Sequence, residues 1–458
     1  MTTHDLTRLP LLAVPDTATT PTAIDQHRRR TARTAPEPDW GLVRTLRQAA
    51  AKELADVLHD RSTVDADEER ALGRRIVADL MRDLAQDSAS SGQQMDRYQL
   101  RLLEAAVLDA LFGLGRLQPL VDDPDLENIE IYGHDHVVLQ YADGSVATGP
   151  AVADSDEELI DNLAFIASRS QANERPFSPA HPTLHLRLDD GSRLAASAWV
   201  SARPSGVIRL HRLRKVRLTQ LVERSMMPVD VADFLSRAIA AHKSIVVAGP
   251  MGAGKTTLVR ALCAEFDPWE AVGTIETEFE LHLHELPEQH RRVFAWESRT
   301  GAGERLPDGR MAGEVTVDDL VHDSWRFNLG RIVVGEVRGR EVMAMLNVMS
   351  GGAGSLSTVH AAHAEGAIER LITLAMQAGS HVTAEFARRQ VCQHIDFIVQ
   401  IGMHTGPDGV RHRYISEVVA LEHNGDGQAV TKLWTADSDR VARPDFMPHH
   451  IAAELGLR

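Results

Sequence analysis

The sequence predicts an α/β protein: a wound parallel sheet with a phosphate-binding loop, preceded by a small α+β domain and an N-terminal helical region. Three observations carry this expectation. From Pro228 onward strand-like and helix-like segments alternate, as a wound parallel sheet requires. Gly249-Pro-Met-Gly-Ala-Gly254-Lys255-Thr256 matches G-x-x-x-x-G-K-[ST] between an apolar run and a helical one. Upstream, short alternating segments are punctuated by Asp143-Gly144 and Asp190-Gly191, which are strong hairpin signals.

In chain order, residues 1–39 are rich in Thr, Pro, Ala and Arg without apolar periodicity and read as a disordered tail. Its cluster His27-Arg28-Arg29-Arg30 reads as a solvated basic patch. Helical spacing begins at Trp40, with stripes Leu42, Val43, Leu46, Leu54, Val57, Leu58, then Leu72, Ile76, Leu80, Leu84, then Leu100, Leu103, Val107, Leu111. These define a helical region over 40–116. Strands at Asn128–Tyr132, His136–Tyr141, Leu184–Leu188 and Arg193–Val200 define an α+β domain over 117–225.

The wound domain spans 226–423. Helix Val231–Ala241 leads to strand Ser244–Ala248, the glycine loop and a helix, then strand Ala271–Glu276. Thr316 caps a helix through Trp325. Strand Arg331–Gly335 follows, its apolar run suiting a parallel strand buried on both faces. Helix Glu341–Met349, strand Ser355–Val359, helix Ala364–Ala378 and strand Ile395–Ile401 complete this core, leaving 424–458 as a weakly patterned C-terminal extension.

The 458 residues suffice for two or three domains at about 150 residues each. Lys+Arg 49 against Asp+Glu 65 gives a net charge of −16, which disfavours a dedicated nucleic-acid binder. Two cysteines, Cys263 and Cys392, exclude a disulfide scaffold and read as buried structural thiols. No run of about 18 apolar residues occurs, and the N-terminus lacks a basic region before its apolar patch. A cytoplasmic protein is expected.

Four segments carry chemistry. In the glycine loop, Gly249, Gly252, Ala253 and Gly254 let successive N–H groups surround a phosphate, joined by those of Lys255, Thr256 and Thr257. Lys255 supplies a point charge to the β- and γ-phosphates of ATP, and the Thr256 hydroxyl ligates Mg²⁺. The second segment, Arg331-Ile-Val-Val-Gly-Glu336, reads as a strand neighbouring that of the loop and ending in a carboxylate. Glu336 is placed to order a water on Mg²⁺ or polarise the attacking water. Gly335 stands where common ATPases have Asp. The third, Thr274-Ile-Glu276-Thr-Glu-Phe-Glu280, offers Glu276 as a base or metal-organising residue; Glu278 reads as solvated, and Glu280 is open to that same reading. The fourth, Ser355-Leu-Ser-Thr-Val-His360, ends a strand in a histidine poised to sense the γ-phosphate or orient water.

This order of motifs resembles the type II/IV secretion-system ATPases, and within them the CpaF/TadA-like ATPases of Flp (tight-adherence) pilus assembly. Further likeness lies in Leu111-Phe-Gly-Leu-Gly-Arg-Leu-Gln-Pro-Leu, Asn128-Ile-Glu-Ile-Tyr-Gly and Ala241-His-Lys-Ser-Ile-Val-Val-Ala-Gly. Gly335-Glu336-Val-Arg338-Gly339-Arg-Glu341 paired with Ser355–His360 is the most specific part. The chain departs from the family's pattern at Thr277, usually Asp, and at Leu329-Gly330, commonly Pro-Asp.

The resemblance implies a RecA-like motor domain joined by a linker near Leu218–Val229 to an N-terminal domain that clasps the nucleotide. It implies a homo-hexameric ring hydrolysing ATP with Mg²⁺ and acting on an integral membrane platform protein, with no direct nucleic-acid contact. It would hold the protein at the inner face of the membrane through its partners. Arg209, in Gly206-Val-Ile-Arg-Leu-His, matches the family's phosphate-reaching arginine; Arg212 is a weaker match, and Arg338 serves the same site or its neighbour. The other readings are a RecA-like helicase or nucleic-acid translocase, and a non-hydrolysing assembly scaffold. An ABC-type subunit is set aside, because Met349-Ser-Gly-Gly follows the second segment instead of preceding it.

Overall fold

The computed structural model describes residues 37–59, 65–90, 95–169, 177–210, 215–299, 301, 304–307, 309–406, 410–424 and 427–457. The expected tail, with its His27–Arg30 cluster, and Arg212 lie outside these residues. Among the described residues the chain divides into two compact units, the first holding those up to 210 together with 406 and 410, and the second those of 215–405 and 411–457.

The first unit opens with helices α1 (Trp40–His59), α2 (Ala66–Ser90) and α3 (Arg97–Phe112). Val43, Leu46 and Leu54 pack with Ile76, Val77, Met81, Leu103, Val107 and Leu111 into a small core. The α2 stripe is rotated from the expected one, since Val77 and Met81 are buried while Leu80 and Leu84 are only half so. Asp96 caps α3 reciprocally: its carboxylate accepts from the Gln99 N–H at 2.7 Å while Gln99 Oε1 accepts from the Asp96 N–H at 3.0 Å.

A short helix α4 (Gln118–Val121) leads into strands β1 (Leu126–Tyr132), β2 (Val137–Tyr141) and β3 (Val146–Thr148). Helix α5 (Asp156–Arg169) precedes β4 (Thr183–Arg187), β5 (Arg193–Ser197) and β6 (Ser205–Arg209). Among the described residues these strands form one antiparallel sheet in the order β3-β2-β1-β6-β5-β4. Both Asp-Gly pairs sit at its hairpin turns, with Gly144 at φ 86° and Gly191 at φ 82°.

The second unit holds α6 (Leu218–Glu223), α7 (Val229–Ala240), β7 (Ile245–Gly249), α8 (Lys255–Cys263), β8 (Ala271–Glu276) and β9 (Arg292–Glu297). Then come α9 (Val317–Ser324), β10 (Arg331–Glu336), α10 (Val342–Ser350), β11 (Leu356–His360), α11 (Ala364–Met376) and α12 (Ala384–His394). Strands β12 (Phe397–Thr405), β13 (Arg411–Asn424), β14 (Gly427–Ala436) and β15 (Ala442–Pro444), and helix α13 (His449–Glu454), close the chain.

Among the described residues the sheet order is β15-β14-β13-β12-β7-β11-β10-β8-β9. From β12 to β9 neighbouring strands run parallel, and β13, β14 and β15 extend the sheet by antiparallel pairing. β7 shows why this domain winds as it does. Its alternate residues Ile245 and Val247 face the core built on α7 and α8, while Val246 and Ala248 face that built on α10, α11 and α12.

The structure corrects one expectation: β10 does not neighbour β7, because β11 lies between them. A sequence interval fixes no strand order in a wound sheet, whose crossovers can leave a gap that a later strand fills. Strand β9 and helix α12 also went unread. The first is half-exposed at the sheet edge, and the second is amphipathic with low mean hydropathy. Both cysteines are buried free thiols. No described helix is long and apolar enough to cross a membrane.

Candidate active site

In the parallel part of the sheet, β7, β11, β10 and β8 are consecutive and end at Gly249, His360, Glu336 and Glu276. Pairing in register, His360 with Gly249 and Val334 with Ile275, brings these ends to one edge, where ligands bind in open α/β folds.

The glycine loop turns from β7 into α8 through Gly252 at φ 73° and Gly254 at φ 89°, backbone conformations that a side chain would strain. Ala253 within the loop is fully buried, and a Cβ at Gly249 would lie a tight 3.0 Å from the Ile401 carbonyl oxygen. Lys255, Thr256 and Thr257 stand in the first turn of α8, the end of a helix that presents its N–H groups to an anion.

Lys255, only 7% exposed, donates from Nζ to the carbonyls of Gly249 (3.2 Å) and Pro250 (3.1 Å) and lies 2.9 Å from His360 Nδ1. Lysine has no acceptor, so Nδ1 accepts and the imidazole proton sits on Nε2. That nitrogen is 2.7 Å from Glu336 Oε1, a close contact that falls outside hydrogen-bond geometry. Burial, with the Lys255 charge beside it, holds His360 below the usual histidine range, which favours this neutral form. Arg338 donates from Nε (2.8 Å) and Nη2 (2.6 Å) to Glu336 Oε2, and this pairing raises the pKa of the guanidinium further. A relay of close polar contacts thus runs Lys255–His360–Glu336–Arg338.

A second relay starts at the next residue. Thr256 Oγ1 donates to Glu280 Oε2 at 2.7 Å, and the buried Arg260 donates to the Glu280 carbonyl. The N–H groups of Glu280 (2.9 Å) and Leu281 (3.0 Å) both donate to Glu276 Oε1. Glu276 is 3% exposed, and its Oε2 is buried without a hydrogen-bond partner. Burial pushes this carboxyl up to about 7 against the two N–H bonds that favour its charge.

Gly335 has a packing reason. A Cβ there would lie a tight 3.0 Å from Glu276 Cγ, so an Asp would require the Glu276 side chain to shift. Arg209 ends β6 in the first unit, exposed. The structure therefore brings together Lys255, Thr256, Glu276, Glu336, His360 and Arg338. Sequence reading left Glu280 undecided and missed Arg260 and Arg413, whose Nε donates to the Gly252 carbonyl at 3.0 Å from β13. The available signal was Glu280's place one turn beyond Glu276; Arg413 sits on a strand that carried no readable pattern.

The Thr256 hydroxyl and the Glu280 carboxylate, 2.7 Å apart, are oxygen donors of the kind a hard cation takes, and Glu276 and Glu336 each carry a buried oxygen without a hydrogen-bond partner. The loop suits a phosphate chain.

A family model described as Type II/IV secretion system protein matches residues 129–405. The chain belongs to this family. It is 35% identical over 348 residues to the type IV secretion system protein VirB11 of Brucella suis, covering 69% of this chain and 92% of that one. An uncharacterized protein of Methanocaldococcus jannaschii is 32% identical over 266 residues, 57% of this chain, which spans only 45% of that relative's length. Among solved structures, the Legionella pneumophila ATPase DotB aligns at 18% identity over 65% of this chain and 78% of its own, with TM-score 0.47.

Proposed function

We propose that the chain is an ATP-hydrolysing motor of a secretion or pilus-assembly system, of the CpaF/TadA-like type. The observation that carries this is the convergence of two relays on consecutive loop residues, Lys255 and Thr256. The Lys255 ammonium rests on the Gly249 and Pro250 carbonyls of its own loop. An incoming γ-phosphate replaces them and competes with His360 for Nζ. His360 thereby senses phosphate and passes the change to Glu336 and Arg338, its partners in the relay.

Mg²⁺, held by Thr256 with Glu336 and Glu280 around it, would neutralise charge on the β- and γ-phosphates. Glu276 is the residue we assign as base: its unbonded Oε2 is free to accept a proton from water, and a pKa near 7 suits that task. Glu336 then acts through charge and through His360. Arg209, on the strength of its match to the family, is assigned to the charge that develops during transfer.

Hydrolysis in a ring of six chains would deliver force to a membrane-embedded platform from the cytoplasmic side. The test is ATPase activity with and without Mg²⁺, measured together with mass in solution. Mg²⁺-dependent turnover by an assembly of six, reduced at least about 100-fold in Lys255→Ala, is expected. Turnover unchanged in that variant overturns the site. Tight ATP binding without phosphate release points to a scaffold, and stimulation by DNA alone to a translocase.

A further inference from the structure

Directly after the catalytic carboxylates, the chain presents a second set of donors that the phosphate site does not use. His282, His284 and Glu285 each offer one ligand atom, and the three atoms lie within 4.8 Å of one another. His282 Nδ1 is 2.9 Å and His284 Nε2 is 3.9 Å from the same oxygen, Glu285 Oε1. These separations bracket the roughly 3.3 Å expected between ligand atoms of a tetrahedral ion with bonds near 2.0–2.1 Å.

The turn that holds them is anchored on both sides. Leu281 and Leu283 are each 1% exposed in the core, and Leu283–Glu285 forms one 3₁₀ turn. His282 is 2% exposed and adopts the left-handed conformation at φ 52°. The His284 ring packs 5.0 Å from that of Phe279. The side chains of His284 and Glu285 remain about a third exposed, at 36% and 37%, leaving an entry path and room for water as a fourth ligand.

We propose that His282, His284 and Glu285 bind a divalent transition ion with the ligand preferences of Zn²⁺. Two imidazoles and one carboxylate with an open position form a donor set that zinc uses. They do not suit Mg²⁺, which demands oxygen ligands in octahedral array. The site is thus chemically separate from the Mg²⁺ position at Thr256. Its ligands follow immediately on Glu280 and Leu281, whose N–H groups hold Glu276. An ion there braces the turn that positions the proposed base.

The experiment uses the full chain, stripped with chelator, free of nucleotide and dialysed against Zn²⁺ in excess Mg²⁺. Wild type is expected to retain one equivalent of Zn²⁺, with affinity reduced at least about tenfold in His284→Ala and in Glu285→Gln. Both positions are partly exposed, so circular dichroism is expected to show these variants folded where His282→Ala, which empties a buried site, could fail. Lys255→Ala retains the ion, which separates this proposal from the ATPase assignment. Displacement of Zn²⁺ by Mg²⁺, or equal retention by the two variants, overturns it. So does loss of the ion on substituting His404, whose ring stacks on that of His412 at 5.1 Å on β12 and β13.

Discussion

The titration of Glu276 gives the site its most direct residue-scale signature. If Glu276 is the base, as proposed, it must be ionised in the free enzyme, so kcat/KM is expected to rise with pH through an apparent value near 7. Glu276→Gln is expected to lose that limb and about 100-fold or more of the rate, while still binding nucleotide. The same group leaves a mark on folding. Its carboxyl titrates near 4.5 when unfolded and near 7 when folded, so the folded chain holds the proton more tightly. Its contribution is fully present below 4.5 and is lost as pH rises through 7. Urea titrations should therefore show wild type losing stability relative to Glu276→Gln between these values, by on the order of 3 kcal/mol. A difference that stays flat with pH would mean that the carboxyl is not strained by burial.

At the scale of strands, two positions on β10 show how packing decides what a motif can contain. Gly335→Asp would restore the residue common among ATPases, yet its Cβ would meet Glu276 Cγ at 3.0 Å and add a second carboxylate beside it. Thermal unfolding is expected to show a loss of about 1–3 kcal/mol, with Glu276 displaced and activity falling as well. At the strand's other end Arg331 is 2% exposed, bonded to Glu270 at 3.1 Å and to the Ile239 carbonyl at 3.2 Å, over the Phe266 ring at 4.3 Å. Glu270→Ala would strand that guanidinium and is expected to cost about 3 kcal/mol. Replacing both partners with apolar residues of similar volume should recover most of that loss. The apolar run of β10 was legible in the sequence. Its buried ion pair was not, because Glu270 lies beyond the span over which periodicity operates.

For the whole molecule, the proposed motor requires that nucleotide state change the assembly's geometry, which a ligand achieves only by binding one state more tightly than another. Arg209→Ala is expected to lower kcat more than it weakens ATP binding, since a guanidinium acting on developing charge contributes chiefly in the transition state. Equal losses in both would make it a ground-state contact. Light scattering should find six chains for this variant as for wild type; a change in mass would assign Arg209 to assembly instead.

The glycine loop, the presence of the N-terminal helices and the Asp-Gly hairpins were fixed by local rules: glycine's backbone freedom, the helical period and turn stereochemistry all act within a few residues. The strand ends at Glu276, Glu336 and His360 were legible for the same reason, each closing a short apolar run. Strand order, the place of β11 between β7 and β10, and the antiparallel extension through β15 depended on pairing between distant segments. Glu280 acquired its role from Thr256 across a turn, and Gly335 acquired its meaning from the Glu276 side chain packed against it. Such contacts follow from which surfaces meet when the sheet closes, and a linear pattern carries no record of that.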